Sequence, residues 1–233
     1  MKILAIDSSA KAASVALVEN ESLLGEFFVN VGLTHSQTLM PMVEALLTNV
    51  NTKVAAVDVF AVAAGPGSFT GLRIGIAALK GMALVNDTPC LAVSTLQAMA
   101  YNFIGEEVLV CAVMDARCNQ VYNALFEVSE TKVTRLVQDR TISIDELYEE
   151  LKKLNRKVLL VGDGAFLCYN KNDCNLDIQL APENKRFQRA SSVAFAAVDA
   201  LASGQAPINS EDLIPKYLRI PQAERELSKK SSC

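Results

Sequence analysis

One order of elements, read twice along the chain, restricts the fold more than any other feature. Short, nearly continuous apolar runs at 2–8, 13–19 and 23–30 predict three strands joined by tight turns. A helix is predicted over 36–49, where Leu39, Met40, Met42, Val43, Leu46 and Leu47 recur at helical spacing and Pro41 belongs in the first turn. A strand at 58–64 then runs into Gly65-Pro66-Gly67, and 68–85 reads as a second helix. A short strand (91–94) and a helix (95–103) lead to the second copy. It has strands at 108–114, 120–128 and 132–140, a helix at 144–154, a strand at 157–162 and a helix at 191–203. The fold class is therefore α/β, two similar β-β-β-α-β-α halves without an obvious sequence repeat, each a mixed sheet flanked by helices. A boundary near residue 105 divides the chain into 1–105 and 106–233, with the last helix packing back onto the first half. Apolar periodicity fades from Ile208, and the polar stretch 223–233 is expected to be mobile.

Composition agrees with this plan and excludes several classes. A chain of 233 residues holds one large domain or two small ones, and 51% hydrophobic against 21% charged residues is enough for a packed core. The net charge of −4 excludes a bulk attraction for phosphate backbones, so a nucleic acid is served through a partner or one local patch. No run reaches the roughly 18 to 20 apolar residues of a membrane span, and the N-terminal apolar run is too short for a signal peptide. A cytoplasmic location without a membrane partner is expected. The six cysteines, Cys90, Cys111, Cys118, Cys168, Cys174 and Cys233, show no pair two residues apart and read as packing or surface residues.

Two turns are candidates for chemistry. Asp7 and Ser8 end the first strand, where small side chains and backbone N–H groups approach an anion. Gly65, Gly67 and Ser68 stand where a strand hands over to a helix, whose N-terminus offers free N–H groups to a phosphate. Gly65, Gly67 and Gly71 are spaced two and then four, unlike the dinucleotide fingerprint, and Leu72-Arg73 follows Gly71 where a P-loop needs Lys-Ser/Thr. Ser68 lies in no Gly-x-Ser-x-Gly elbow, and the lone His35 reads as structural. Asp115 and Arg117 occupy the equivalent hairpin of the second half, as cleft ligands or as a local ion pair. The helix at 68–85 carries only Arg73 and Lys80 as charges, so it requires cover on more than one side, from its own chain or from another. Leu39, Met42 and Leu46 of the first helix and Leu72, Ile76 and Leu79 of the second are the expected contact residues.

Ile3-Leu-Ala-Ile-Asp-Ser-Ser, His35-Ser-Gln-Thr-Leu-Met-Pro, Gly65-Pro-Gly-Ser-Phe-Thr-Gly-Leu-Arg-Ile-Gly, Met114-Asp-Ala-Arg and Pro215-Lys-Tyr-Leu-Arg together resemble the TsaB family. Its members partner TsaD in making threonylcarbamoyladenosine on tRNA. The resemblance implies a duplicated ribonuclease-H-like fold of the actin-like ATPase and sugar-kinase superfamily. It further implies a non-catalytic scaffold and activator that forms a homodimer and exchanges it for a heterodimer with the TsaD-like catalytic paralogue. A TsaE-like ATPase and tRNA join through the complex. TsaD carries His-x-x-x-His where this chain has Thr95 and Met99, so no metal site and no catalytic residue are assigned. Cys118-Asn119-Gln120 departs from the family's basic or glycine residue followed by Glu. No cofactor is required on this reading, and weak ATP or ADP binding is the most that Asp7, Ser8, Gly65, Gly67 and Ser68 offer. The alternative is an ATP-dependent kinase or phosphohydrolase built on Asp7 and the glycine turn; a peptidase lacks a second histidine and a nucleophile elbow.

Overall fold

The computed structural model describes residues 1–171 and 176–219. In the first half, β1 (Lys2–Asp7), β2 (Ala13–Glu19) and β3 (Ser22–Val29) form an antiparallel meander. Helix α1 (His35–Asn49) then leads to β4 (Val59–Gly65), which lies parallel to β1, and α2 (Phe69–Ala83) leads to β5 (Cys90–Ser94). The sheet order is β3-β2-β1-β4-β5. After α3 (Thr95–Ala100) the plan repeats with β6 (Val108–Asp115), β7 (Gln120–Val128), β8 (Val133–Ser143), α4 (Ile144–Leu154), β9 (Val158–Val161), α5 (Ala165–Tyr169) and β10 (Ile178–Leu180). Its order is β10-β9-β6-β7-β8, the counterpart of the first sheet. The short helix α6 (Glu183–Arg186) and the longer α7 (Ala190–Ala202) follow. The molecule thus has the duplicated ribonuclease-H-like, actin-like α/β fold.

Strand alternation explains the layers. In β1, Leu4 and Ile6 enter a core shared with α1 and α2, while Ile3 and Ala5 enter a second core on the opposite face with Val193, Ala194 and Ala197 of α7. In β6, Cys111 and Val113 face α4 and α5, while Val110, Ala112 and Met114 face Leu96 and Met99 of α3. The central strands are buried on both sides, which is why they read as continuous apolar runs. Helix α7 therefore does pack back onto the first sheet, and α3 reciprocates on the second. The boundary near 105 separates the sheets but not the packing layers.

Several boundaries differ from the sequence reading. Helix α1 begins at His35, so Pro41 falls in the second turn and removes the amide that would bond Gln37. Helix α2 stops at Ala83, leaving Leu84 and Val85 exposed, and α3 tightens into a 3-10 turn at Tyr101–Phe103. Strand β8 runs on to Ser143, which caps α4 in a capping box with Glu146. Strand β10 and helices α5 and α6 have three to five residues, too short for periodicity to register. Cys90, Cys111 and Cys168 are buried and Cys118 is exposed; Cys174, Cys233 and the tail from 220 lie outside the described residues.

The expected contact residues need correction. Leu39, Met42, Leu46, Ile76 and Leu79 are buried in the chain's own first core and Leu72 is fully buried beside Gly65, so none offers surface to a partner. They are the strongest apolar positions of their helices, and the sheet beneath them takes those first.

Candidate functional site

The outer face of the α1–α2 layer is what the sheet leaves. On α2 the exposed positions include Arg73, Ala77 and Gly81, with Ile74 and Ala78 half-buried beside them and Leu84 at 62% exposure beyond the helix end. On α1 they include Met40, Pro41 and Glu44. Between α1, the turn after it and Met82 of α2 runs a groove of about 800 Å³ whose lining includes Met40, Pro41, Val43 and Leu47. A helix whose outer face carries small and apolar residues beside an apolar groove has the composition of a contact surface.

The second candidate lies between the halves. There the glycine turn meets the β1–β2 hairpin so closely that the glycines are consumed by packing. An added Cβ at Gly67 would overlap the Ser9 carbonyl, one at Gly71 the Ser8 carbonyl, and one at Gly75 the Ser8 hydroxyl. Gly65 has φ +126° and abuts the carbonyl of Lys216. The Ser68 N–H donates to Ser9 O at 2.6 Å, and the Ser68 hydroxyl accepts from the Gly71 N–H as the α2 cap. Ser8 Oγ donates to Gly71 O at 2.9 Å. Among the predicted phosphate-binding residues, Ser8 and the turn are therefore brought together, and their polar groups already serve each other.

Asp7 is buried beneath this contact. Its Oδ1 accepts from the Ser9 N–H (2.9 Å) and the Ser9 hydroxyl (2.6 Å), while Oδ2 has no partner among the described residues. Burial pushes its carboxyl up to about 6, against the opposing pull of the Ser9 hydrogen bonds and nearby His35. His35 Nε2 donates to Ala10 O at 2.7 Å and ties α1 to the same hairpin, as a structural residue does.

The cleft itself measures about 470 Å³ and is lined by Ser9, Lys11, Phe69, Asp115, Arg117 and Asp163 among others. Asp163 accepts from the Gln188 amide at 3.3 Å; desolvation, with smaller contributions from Asp115 and Asp7, raises its carboxyl to about 6 against the pull of that bond. Asp115 Oδ1 accepts from the Arg117 N–H at 2.7 Å, and the Arg117 guanidinium lies 3.9 Å from its Oδ2. The local ion pair is thus present, and both residues also line the cleft. Arg117, Cys118 and Asn119 all have left-handed φ (66°, 54° and 58°) without a glycine among them.

Two features escaped the sequence reading. Gly162-Asp163-Gly164 follows β9 as Gly65-Pro66-Gly67 follows β4, and that parallel was the available signal. The segment Leu213–Arg219 returns to the first half. Its Lys216 N–H donates to Ala64 O at 2.7 Å, Tyr217 stacks on Phe69 with centroids 4.0 Å apart, and Arg219 donates to Ala116 O in the second half. Thr95 and Met99 are fully buried between the sheets.

Residues 30–227 match the family model described as TsaD: tRNA N6-adenosine threonylcarbamoyltransferase. The tRNA threonylcarbamoyladenosine biosynthesis protein TsaB of Bacillus subtilis is 30% identical, covering 96% of both chains. The Escherichia coli protein of the same name is 35% identical over 70% of this chain and 72% of its own. A solved structure named YeaZ, from Pseudomonas aeruginosa, superposes with a TM-score of 0.79 at 26% identity over 93% of this chain and 99% of that one.

Proposed function

Because the chain belongs to the TsaB family of tRNA threonylcarbamoyladenosine biosynthesis proteins, we propose that it serves this modification as a non-catalytic scaffold and activator. The outer α1–α2 face is its docking surface for a TsaD-like catalytic paralogue and, in competition, for a second copy of itself. A TsaE-like ATPase joins the resulting complex. The observation that carries this reading is the stripe of Ala77 and Gly81, flanked by Ile74, Ala78, Leu84 and Met40, next to an 800 Å³ apolar groove. Small residues permit close helix–helix approach, and a surface shared by two partners makes self-association a competitor of assembly. The burial of Thr95 and Met99 supports assigning the chemistry to the partner, since a thioether is a poor ligand for a hard or borderline ion. No cofactor is required; ATP or ADP binds weakly at most, because Ser68 and the glycine faces are occupied by Ser8, Ser9 and Lys216.

The test is Ala77→Glu combined with Gly81→Glu. Both positions are exposed, so the fold is retained, and the expected result is loss of both the homodimer and co-purification with the TsaD-like partner. Unchanged solution mass and unchanged co-purification would overturn the docking surface.

A further inference from the structure

Among the described residues every arginine has a carboxylate oxygen within 4.0 Å except Arg73 and Arg219. In a chain of net charge −4, Arg219 lines the cleft between the halves, and Arg73 lies next to that cleft, against the Phe69 ring that lines it and the Tyr217 ring stacked on Phe69. Arg73 Nε donates to the Tyr217 hydroxyl at 2.8 Å, and its guanidinium lies 5.8 Å from the Phe69 ring centre and 5.7 Å from that of Tyr217. Arg219 reaches across to the Ala116 and Arg117 carbonyls of the opposite hairpin and lines the cleft with Lys11, Arg117 and Phe69. Among the described residues Lys11 has no carboxylate within 4.0 Å, and Arg117 has the 3.9 Å contact with Asp115. Lys11, Arg117 and Arg219 thus line the cleft together with the carboxylates Asp115 and Asp163, and Arg73 adds a fourth cation beside the Phe69–Tyr217 pair.

We propose that the mouth of this cleft is a direct binding surface for a single-stranded segment of RNA. Phosphodiesters meet Arg73, Arg117, Arg219 and Lys11, and an unpaired base lies against the exposed side of the Phe69–Tyr217 pair. Arginines without carboxylate partners are available to phosphate oxygens without breaking an ion pair. Aromatic rings beside a cationic groove are the arrangement by which single strands are held, because every base has a stacking face. A cleft of about 470 Å³ accommodates extruded nucleotides but not a duplex. The left-handed run Arg117–Asn119 holds the opposing hairpin in a conformation that costs energy, as residues at binding sites often do. This deepens the family reading, on which it rests for tRNA as the source of the strand, and it gives the chain an RNA contact of its own.

The test titrates the intact chain into fluorescein-labelled unmodified tRNA transcript and into labelled oligouridylate, followed by anisotropy at several salt concentrations. Both probes are expected to bind and to compete with each other. Arg73→Ala with Arg219→Ala should weaken both at least tenfold and reduce the slope of log K against log salt by about 1.4, at about 0.7 per lost phosphate contact. Arg73→Lys with Arg219→Lys should keep most of the slope, which a merely structural role of the two side chains would not preserve. No detectable binding by the wild type, an unchanged affinity and slope in the alanine pair, or displacement of both probes by ATP at equal phosphate concentration would overturn the inference. Restoration of threonylcarbamoyladenosine in depleted cells by wild-type chain separates the two readings. Restoration alongside arginine-independent binding removes only the RNA surface, whereas failure to restore removes the family role.

Discussion

Gly71→Ala should lower stability by about 3 kcal/mol, the upper end of what overpacking a close-packed site costs, and the melting temperature by roughly 6–12 °C. The added methyl would meet the Ser8 carbonyl oxygen, a backbone atom in the hairpin that begins right after the last β1–β2 pair, Asp7 with Ser14, so relief requires α2 to lift away from the hairpin. Gly81→Ala, on the same helix, should change stability in the opposite direction. Nothing lies within 4 Å of its Cβ position, and replacing a glycine in the last turn of a helix by alanine gains up to about 0.5 kcal/mol. Urea denaturation of the two variants beside the wild type checks both. Equal effects would mean that the glycine block does not hold α2 against Ser8 and Ser9.

Asp7→Asn should change the pH dependence of stability strongly. The folded-state carboxyl is raised from 3.8 to about 6, chiefly by burial, so the folded protein holds its proton more tightly than the unfolded chain does. Stability from this group is complete below about pH 4 and is lost as pH rises through 6, a change of about 3 kcal/mol at 1.36 kcal/mol per unit. Asparagine keeps an oxygen for Ser9 and has no charge to desolvate. The stability of Asp7→Asn relative to wild type should therefore rise by about 2.4 kcal/mol between pH 4 and pH 7. Denaturant midpoints at pH 4, 5, 6 and 7 measure it, and a pH-independent difference would show that Asp7 ionises freely in the folded protein.

Much of the fold was legible because strands buried on both faces, such as β1 and β6, leave continuous apolar runs, and because the turn at Gly65–Gly67 marks a strand-to-helix transition. The face proposed for docking was not. Periodicity selects the residues that face the sheet, so it pointed to Leu72, Ile76 and Leu79, whereas the outward stripe of Ala77 and Gly81 is defined by what it lacks. The cleft mouth was hidden for another reason. Arg73, Tyr217 and Arg219 are up to about 150 residues apart in sequence, and only the return of Leu213–Arg219 along β4 and α2 brings them together. Asp163 lay in a short turn whose likeness to the glycine turn becomes visible once β4 and β9 occupy equivalent places in their sheets.

The central claim is that the chain contributes a surface rather than a reaction. Its most direct test is the threonylcarbamoyladenosine content of tRNA, measured by mass spectrometry in cells depleted of the endogenous protein and supplied with variants. Asp7→Asn, which removes the carboxylate any ATP-dependent chemistry at the glycine turn would require, should restore full modification, while Ala77→Glu with Gly81→Glu should restore none. Full modification by the glutamate pair together with loss in Asp7→Asn would contradict the account and point to catalysis in the cleft.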